Sequence, residues 1–284
     1  MPIDPAAAVA APARRATLEW DHRDVLLYHL GIGAGGAATD DAELRYTLES
    51  RLQVLPAFAT VAGGGQAAGG GLAVPGIDVD PATVLHAEQH IALHRPIPVR
   101  GKAVQTTRVA EVLDRGRAAV IVLRSEVADE DGPLWTAEAS AHVRGEGGFG
   151  GSPGPDRRRA VPSREPDHTV DRATRPDQAL LYRLSGDFNP LHADPRFARA
   201  AGFERPILHG LCSYGLVLKA VVDTLLAGDA TRVRSYRARF AGIFLPGETM
   251  RIRMWADHGR VQVLATAADR DDAAVLADTV VTFD

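Results

Sequence analysis

Leu181-Tyr-Arg-Leu-Ser-Gly-Asp-Phe-Asn-Pro-Leu-His-Ala-Asp-Pro195, with Ile207-Leu-His-Gly-Leu-Cys-Ser-Tyr-Gly215 shortly after it, is the stretch around which this chain is organised. Asp187, Asn189 and His192 fall within six residues, punctuated by Gly186 and Pro190, so they belong to a tight turn. His209-Gly210 then opens a helix whose apolar run to Leu226 is interrupted only by Ser213, Lys219, Asp223 and Thr224. A helix apolar nearly all round must be buried on most sides. Four strands are predicted after it, at 233–244, 249–257, 260–268 and 275–283, with turns at Pro246-Gly247 and His258-Gly259. A curved antiparallel sheet wrapped around one central helix satisfies both patterns.

The first half repeats this order of elements without a recognisable sequence repeat. Residues 21–31 read as a helix with an N-cap candidate and a glycine stop, and Asp40–Leu48 as a second helix closed by Glu49. The segment Gly31-Ile-Gly33-Ala-Gly-Gly36 formally satisfies a dinucleotide-binding fingerprint. That reading requires a strand before it and a helix after it; here a helix precedes and a loop follows, so it is rejected. Val54–Phe58 is a compact apolar entry into a mixed segment, and the glycines of 63–71 mark flexible loops. His86, His90 and His94 suggest a metal site, but strand spacing spreads them too far to share one ion. Strands follow from Lys102, Ala118 and Leu134, with turns at Asp114-Arg-Gly and Asp131-Gly-Pro.

The organisation expected is a disordered arm (1–19), an N-terminal unit (20–144), a linker (145–175) and a C-terminal unit (176–284). The linker is rich in Gly, Pro, Arg and Asp and lacks periodicity. Arg157-Arg-Arg159 inside it reads as a solvated run, with a grip on a ligand phosphate as the alternative. At 284 residues, 45% hydrophobic and 24% charged, the composition is that of a globular protein, and a net charge of −4 argues against a nucleic-acid partner. The lone Cys212 excludes an intramolecular disulfide and thiolate-rich zinc sites, which suits a cytoplasmic location. Lying in the apolar helix with no base pattern beside it, Cys212 reads as packing. No apolar run approaches the roughly 20 residues of a membrane helix. No signal peptide and no peroxisomal tripeptide are expected from the two ends.

Tyr182-x-Leu184-Ser185-Gly186-Asp187-x-Asn189-Pro190-Leu191-His192 resembles the signature of the MaoC-like, hydratase 2 family of (R)-specific enoyl-CoA hydratases. Segments 26–33, 46–49, 54–58 and 85–89 also resemble its two-domain members, so the likeness covers most of 20–284. It implies an α+β double hot-dog fold, two tandem antiparallel sheets each wrapped around a central helix, with the hydratase motif only in the C-terminal half. The N-terminal half then accommodates a bulky acyl group. Water addition across an enoyl thioester needs a base for water, an acid for the α-carbon and donors for the enolate-like oxygen. The resemblance implies that Asp187 and His192 supply acid and base, with neither assigned to one proton. Asn189 can orient water, and the Gly210 N–H, at a helix start, can hold the thioester oxygen. Tyr182 and Glu49 match positions that line the site, and His209 either supports the loop or caps the helix. The competing reading of the turn is structural, with Asp187 and Asn189 capping backbone groups and His192 packed. No cofactor or metal is expected beyond the CoA of the substrate, and the partners expected are an acyl-CoA thioester and a second copy in a homodimer. Thioester hydrolysis and non-catalytic acyl-thioester binding are the alternatives that the fold allows.

Overall fold

The computed structural model describes residues 3–36, 40–64 and 72–284. All of its strands join one antiparallel sheet, and the order of those strands explains the doubling. Strands β1 (Arg14–Trp20), β2 (Val84–Leu93), β3 (Gly101–Asp114), β4 (Ala118–Asp129) and β5 (Gly132–Arg144) come from the first half. Strands β6 (His168–Ala173), β7 (Val233–Phe240), β8 (Thr249–Asp257), β9 (Arg260–Ala267) and β10 (Ala273–Phe283) come from the second. The sheet runs β1-β3-β4-β5-β2-β7-β10-β9-β8-β6. Read inward from its own edge, each half has the same order: first, third, fourth, fifth, second. The halves meet through their second strands, β2 and β7, in the register Glu88↔Arg239 to Ala92↔Ser235. The α+β double hot-dog architecture expected from the sequence is present.

The helices are α1 (Pro5–Ala10), α2 (His22–Gly31), α3 (Asp41–Thr47), α4 (Gln178–Tyr182), α5 (Pro195–Ala200) and α6 (Gly210–Leu225). Among them α6 is the central one, buried continuously from Cys212 to Val222 and packed on β7, β8 and β10. It also touches the 3₁₀ turn Pro56–Thr60, which occupies the corresponding part of the first half. Among the described residues the first half therefore has a short turn, in place of the central helix expected in each half, where the second has a 16-residue helix. Pro56 opens that turn, and Gly63 and Gly64 with positive φ follow it, a sequence that cannot extend a helix. Of the glycine-rich segment 63–71, residues 65–71 lie outside the described residues. Among the described residues no helix is long and apolar enough to cross a membrane.

Two expectations are corrected. Residues 3–20 are ordered rather than a free arm. Asp4 caps α1 with Pro5 in its first turn, Ile3 and Ala8 are buried, and β1 pairs with β3 while turning Leu18 and Trp20 inward. The Ala-rich run hid this, because alanines bury little area each while the few larger anchors do the packing. The 145–175 segment is likewise not all linker. The Asp114 carboxylate accepts N–H bonds from Gly148 and Gly150 as well as Gly116, and β6 pairs with β8 along its length. Arg157–Arg159 are exposed, and the Arg159 N–H donates to Asp278.

Two buried polar knots fasten the first half. In the first, the His29 Nδ1–H donates to the Tyr46 carbonyl at 2.9 Å and Nε2 accepts the Leu55 N–H at 3.2 Å, which joins α2, α3 and the 52–56 segment. Burial lowers the His29 pKa to about 4. In the second, Lys219 Nζ on α6 reaches Glu43 and Asp223, each at 2.7 Å, and Tyr46 donates its hydroxyl to Asp223 at 2.7 Å.

The His29 site ties stability to pH. The unfolded imidazole binds its proton near pH 6.5, whereas the folded one waits until about 4, so stability is lost as pH falls through that window. Urea denaturation from pH 7 to pH 4 should show a loss that His29→Leu reduces by about 3 kcal/mol; equal slopes in both proteins would refute it. Lys219→Met should cost about 3 kcal/mol at pH 7, because two partly buried carboxylates lose their cation. A loss below about 1 kcal/mol would show that the knot is replaceable.

Candidate active site

The Asp187–His192 turn is shaped by its own side chains. Helix α4 tightens into a 3₁₀ turn at Arg183–Ser185, and Gly186 takes φ +116, a backbone region that side chains with a Cβ rarely occupy. Asp187 Oδ1 then accepts the Asn189 N–H at 3.2 Å, and Asn189 Oδ1 accepts the Leu191 N–H at 3.0 Å as the 3₁₀ turn Pro190–His192 begins. The capping that defined the structural reading is thus real. It uses one oxygen of each residue. The second Asp187 carboxylate oxygen and the Asn189 amide NH₂ make no hydrogen bond among the described residues.

His192 is oriented by the Ile207 carbonyl, 2.8 Å from its Nδ1. A carbonyl only accepts, so Nδ1 carries the proton and Nε2 is left with its lone pair. Burial lowers the pKa of His192, opposed by that carbonyl and by Asp187. His209, the residue before α6, donates Nε2–H to the Asp187 carbonyl at 3.2 Å. Its ring stacks on His192 with centroids 3.7 Å apart and planes at 29°, and the Tyr182 ring lies 4.9 Å away on another side. Burial, then the neighbouring His192, brings His209 to about 3. Both imidazoles are therefore neutral near pH 7.

Asp187, His192 and His209 each place a ligating atom within 4.8 Å of the others. Stacked rings direct their lone pairs side by side rather than toward a common point, which is poor geometry for the tetrahedral zinc site that such a trio suggests.

Gly210 starts α6 beside this group. Its N–H is among the first of the helix, which have no intrahelical acceptor and sit at the positive end of the helix dipole. A Cβ placed there would lie 3.0 Å from the Phe240 ring. Phe240 in turn packs on His86 at 4.8 Å between centroids.

Tyr182, Asp187, Asn189, His192, His209 and Gly210 are thus brought together. Glu49 is not: it lies in an exposed turn after α3 and makes no hydrogen bond or ion pair with this group among the described residues. Side-chain direction explains the miss, because α3 turns Tyr46 inward and leaves the following turn in solvent. The sequence reading missed His86 and Phe240 as neighbours of the site. The bulge between His86 and Glu88 moves His86 onto the face that carries Gln89 and Ile91, so strict alternation misplaces it. The two histidines of β2 and His94 just after it go separate ways: His86 to the Glu88 carbonyl, His90 to Glu138 and His94 to Thr136. Cys212 is fully buried and donates to the Gly31 carbonyl, a packing role as expected.

With this geometry established, the comparisons decide the family. Residues 18–145 match the MFE-2 hydratase 2 N-terminal domain and residues 158–270 the MaoC like domain. The chain belongs to the MaoC-like hydratase 2 family. It is 46% identical to an enoyl-CoA hydratase of Mycobacterium tuberculosis, over 98% of each chain. It is 38% identical to the peroxisomal enoyl-CoA hydratase 2 of Arabidopsis thaliana, over 91% of this chain and 88% of that one. The crystal structure of a MaoC-like dehydratase from Phytophthora capsici superposes with a TM-score of 0.90 at 30% identity, covering 99% of this chain and 98% of that one. The protein is thereby a hydratase, a lyase by reaction class.

The tight approach of Phe240 to Gly210 sets a prediction. Gly210→Ala should lower hydratase turnover roughly tenfold, a barrier of about 1.4 kcal/mol, because the ring must yield a few tenths of an ångström at the helix start. Phe240→Leu in the same protein should restore part of the loss. An unimpaired Gly210→Ala would show that the helix start has slack.

Proposed function

We propose that this protein reversibly hydrates a trans-2-enoyl-CoA to the (3R)-3-hydroxyacyl-CoA, using Asp187 and His192 as its acid–base pair. The observation that carries the proposal is that ligating atoms of His192 and Asp187 lie within 4.8 Å of each other while each side chain keeps one atom uncommitted among the described residues, beside the start of α6. His192 enters the cycle neutral and able to accept the proton of water, whose oxygen then bonds to C3. The C2=C3 electron pair moves toward the thioester, and the oxygen that gains the charge is held by the Gly210 N–H. The dyad returns a proton to C2, which balances the addition. The free NH₂ of Asn189 positions the water.

The acyl group lies against the first half in this proposal. What supports it is the short Pro56–Thr60 turn, which fills less of the space inside its sheet than the long α6 does in the other half.

Loss of the enoyl-thioester absorbance with crotonyl-CoA, followed by chiral analysis of the product, tests the reaction. Wild type should give the (3R) product, and Asp187→Asn and His192→Ala should each lose about 10²–10⁴ in turnover while staying folded. Release of free CoA thiol would instead make the protein a thioesterase. Tight acyl-CoA binding with no turnover would make it a binding protein.

A further inference from the structure

The role of His209 is not explained by the helix that it precedes. N-cap side chains ordinarily accept a hydrogen bond from one of the next N–H groups, and His209 makes no such cap bond. His209 is 1% exposed, and its Nδ1 has no hydrogen-bond partner among the described residues, an arrangement that costs desolvation without serving α6. Apart from the Tyr182 ring, the contacts that its imidazole makes are to the dyad: Nε2–H to the Asp187 carbonyl, and one ring face to His192.

We propose that His209 is a positioning residue that clamps the catalytic pair, pinning the main chain of Asp187 and shielding one face of His192 from water. The proposal rests on the hydration reading, in which these two residues move the protons. The tether helps to fix where the Asp187 carboxylate starts from, together with Gly186, the Asx turn and the Arg183 bond to the Phe188 carbonyl. The stack keeps His192 dry, so that the imidazole remains an unprotonated acceptor at lower pH than in water.

The groups facing His192 are Asp187, Arg183, His209 and the Ile207 carbonyl, and those facing His209 are Asp187, Arg183, His192 and Tyr182. Asp187 favours the charged form of either imidazole and Arg183 opposes it, while burial disfavours it. Removing the cover therefore raises the pKa of His192. Hydration needs the neutral form, so the acid limb of the rate moves to higher pH.

The test separates the two contacts. His209→Gln removes the stacked ring, and His209→Phe keeps a ring but removes the donor. The His192 resonance, identified by its absence from His192→Asn, is titrated by NMR in substrate-free protein, and the pH profile of kcat/KM is measured with crotonyl-CoA. In His209→Gln, His192 should titrate higher and the acid limb should shift with it. In His209→Phe the limb should stay in place while kcat falls roughly tenfold with KM little changed. An unmoved His192 titration in His209→Gln, or wild-type kcat in His209→Phe, would overturn the proposal. So would rate losses that only track lost thermal stability. A wild type inactive on enoyl-CoA would refute the hydration reading instead, and the substrate-free titration would still report on the clamp.

Discussion

Helix α6 has no side to give to water. Residues 212–222 are buried without a break, so every face must meet apolar atoms. Each large aliphatic side chain buried there contributes about 1.5–3 kcal/mol, which makes this helix the principal anchor of the second half. The sheet meets the requirement by running unbroken from the first half to the second through β2 and β7, while the Pro56–Thr60 turn covers α6 from the other half. The halves are consequently not separable beads on a linker. Because the body of α6 is fixed by packing, its first residue is fixed as well, and Gly210 inherits a defined place beside Phe240 and the histidines.

Polar residues at this junction follow from the same constraint. Lys219 interrupts the apolar run of α6, and its i,i+4 relation to Asp223 is visible in the sequence. Its second partner, Glu43, stands 176 positions away, which no local pattern reveals. His29 likewise reads as one more residue in a short helix, until the fold brings the Tyr46 carbonyl and the Leu55 N–H to its two ring nitrogens. Both knots pay for burying polar atoms by satisfying them across segments, and so they exist only once the tertiary fold does.

What could be read from the chain was what local chemistry dictates. The Asp187–His192 turn announces itself through Gly186, Pro190 and the Asx side chains, α6 through its composition, and β3, β4, β5, β8 and β9 through alternation closed by turn residues. Strands β1 and β6 did not, because each is an edge strand paired on one side only, and β6 buries almost none of its length. Their assignment depends on β3 and β8 offering a free edge, a nonlocal fact. His86 was lost to the bulge, which shifts the face without leaving a mark in the residue types. Glu49 was placed near the site by motif alone, and motif does not encode the direction in which a turn leaves a helix.

The structural and catalytic readings of the Asp187–His192 turn compete in the sequence, but the capping geometry leaves room for both. An Asx turn consumes one oxygen of a carboxylate or amide, and these groups have further hydrogen-bonding capacity. Asp187 and Asn189 spend Oδ1 on the backbone and are thereby locked in orientation, with their remaining atoms pointing away from the bonds already made. His192 follows the same logic: Nδ1 is committed to Ile207, and that commitment leaves Nε2 as the acceptor. Each of these groups is oriented by giving up part of its hydrogen-bonding capacity to the main chain. A loop built this way loses little entropy when substrate binds, because the ordering was done during folding.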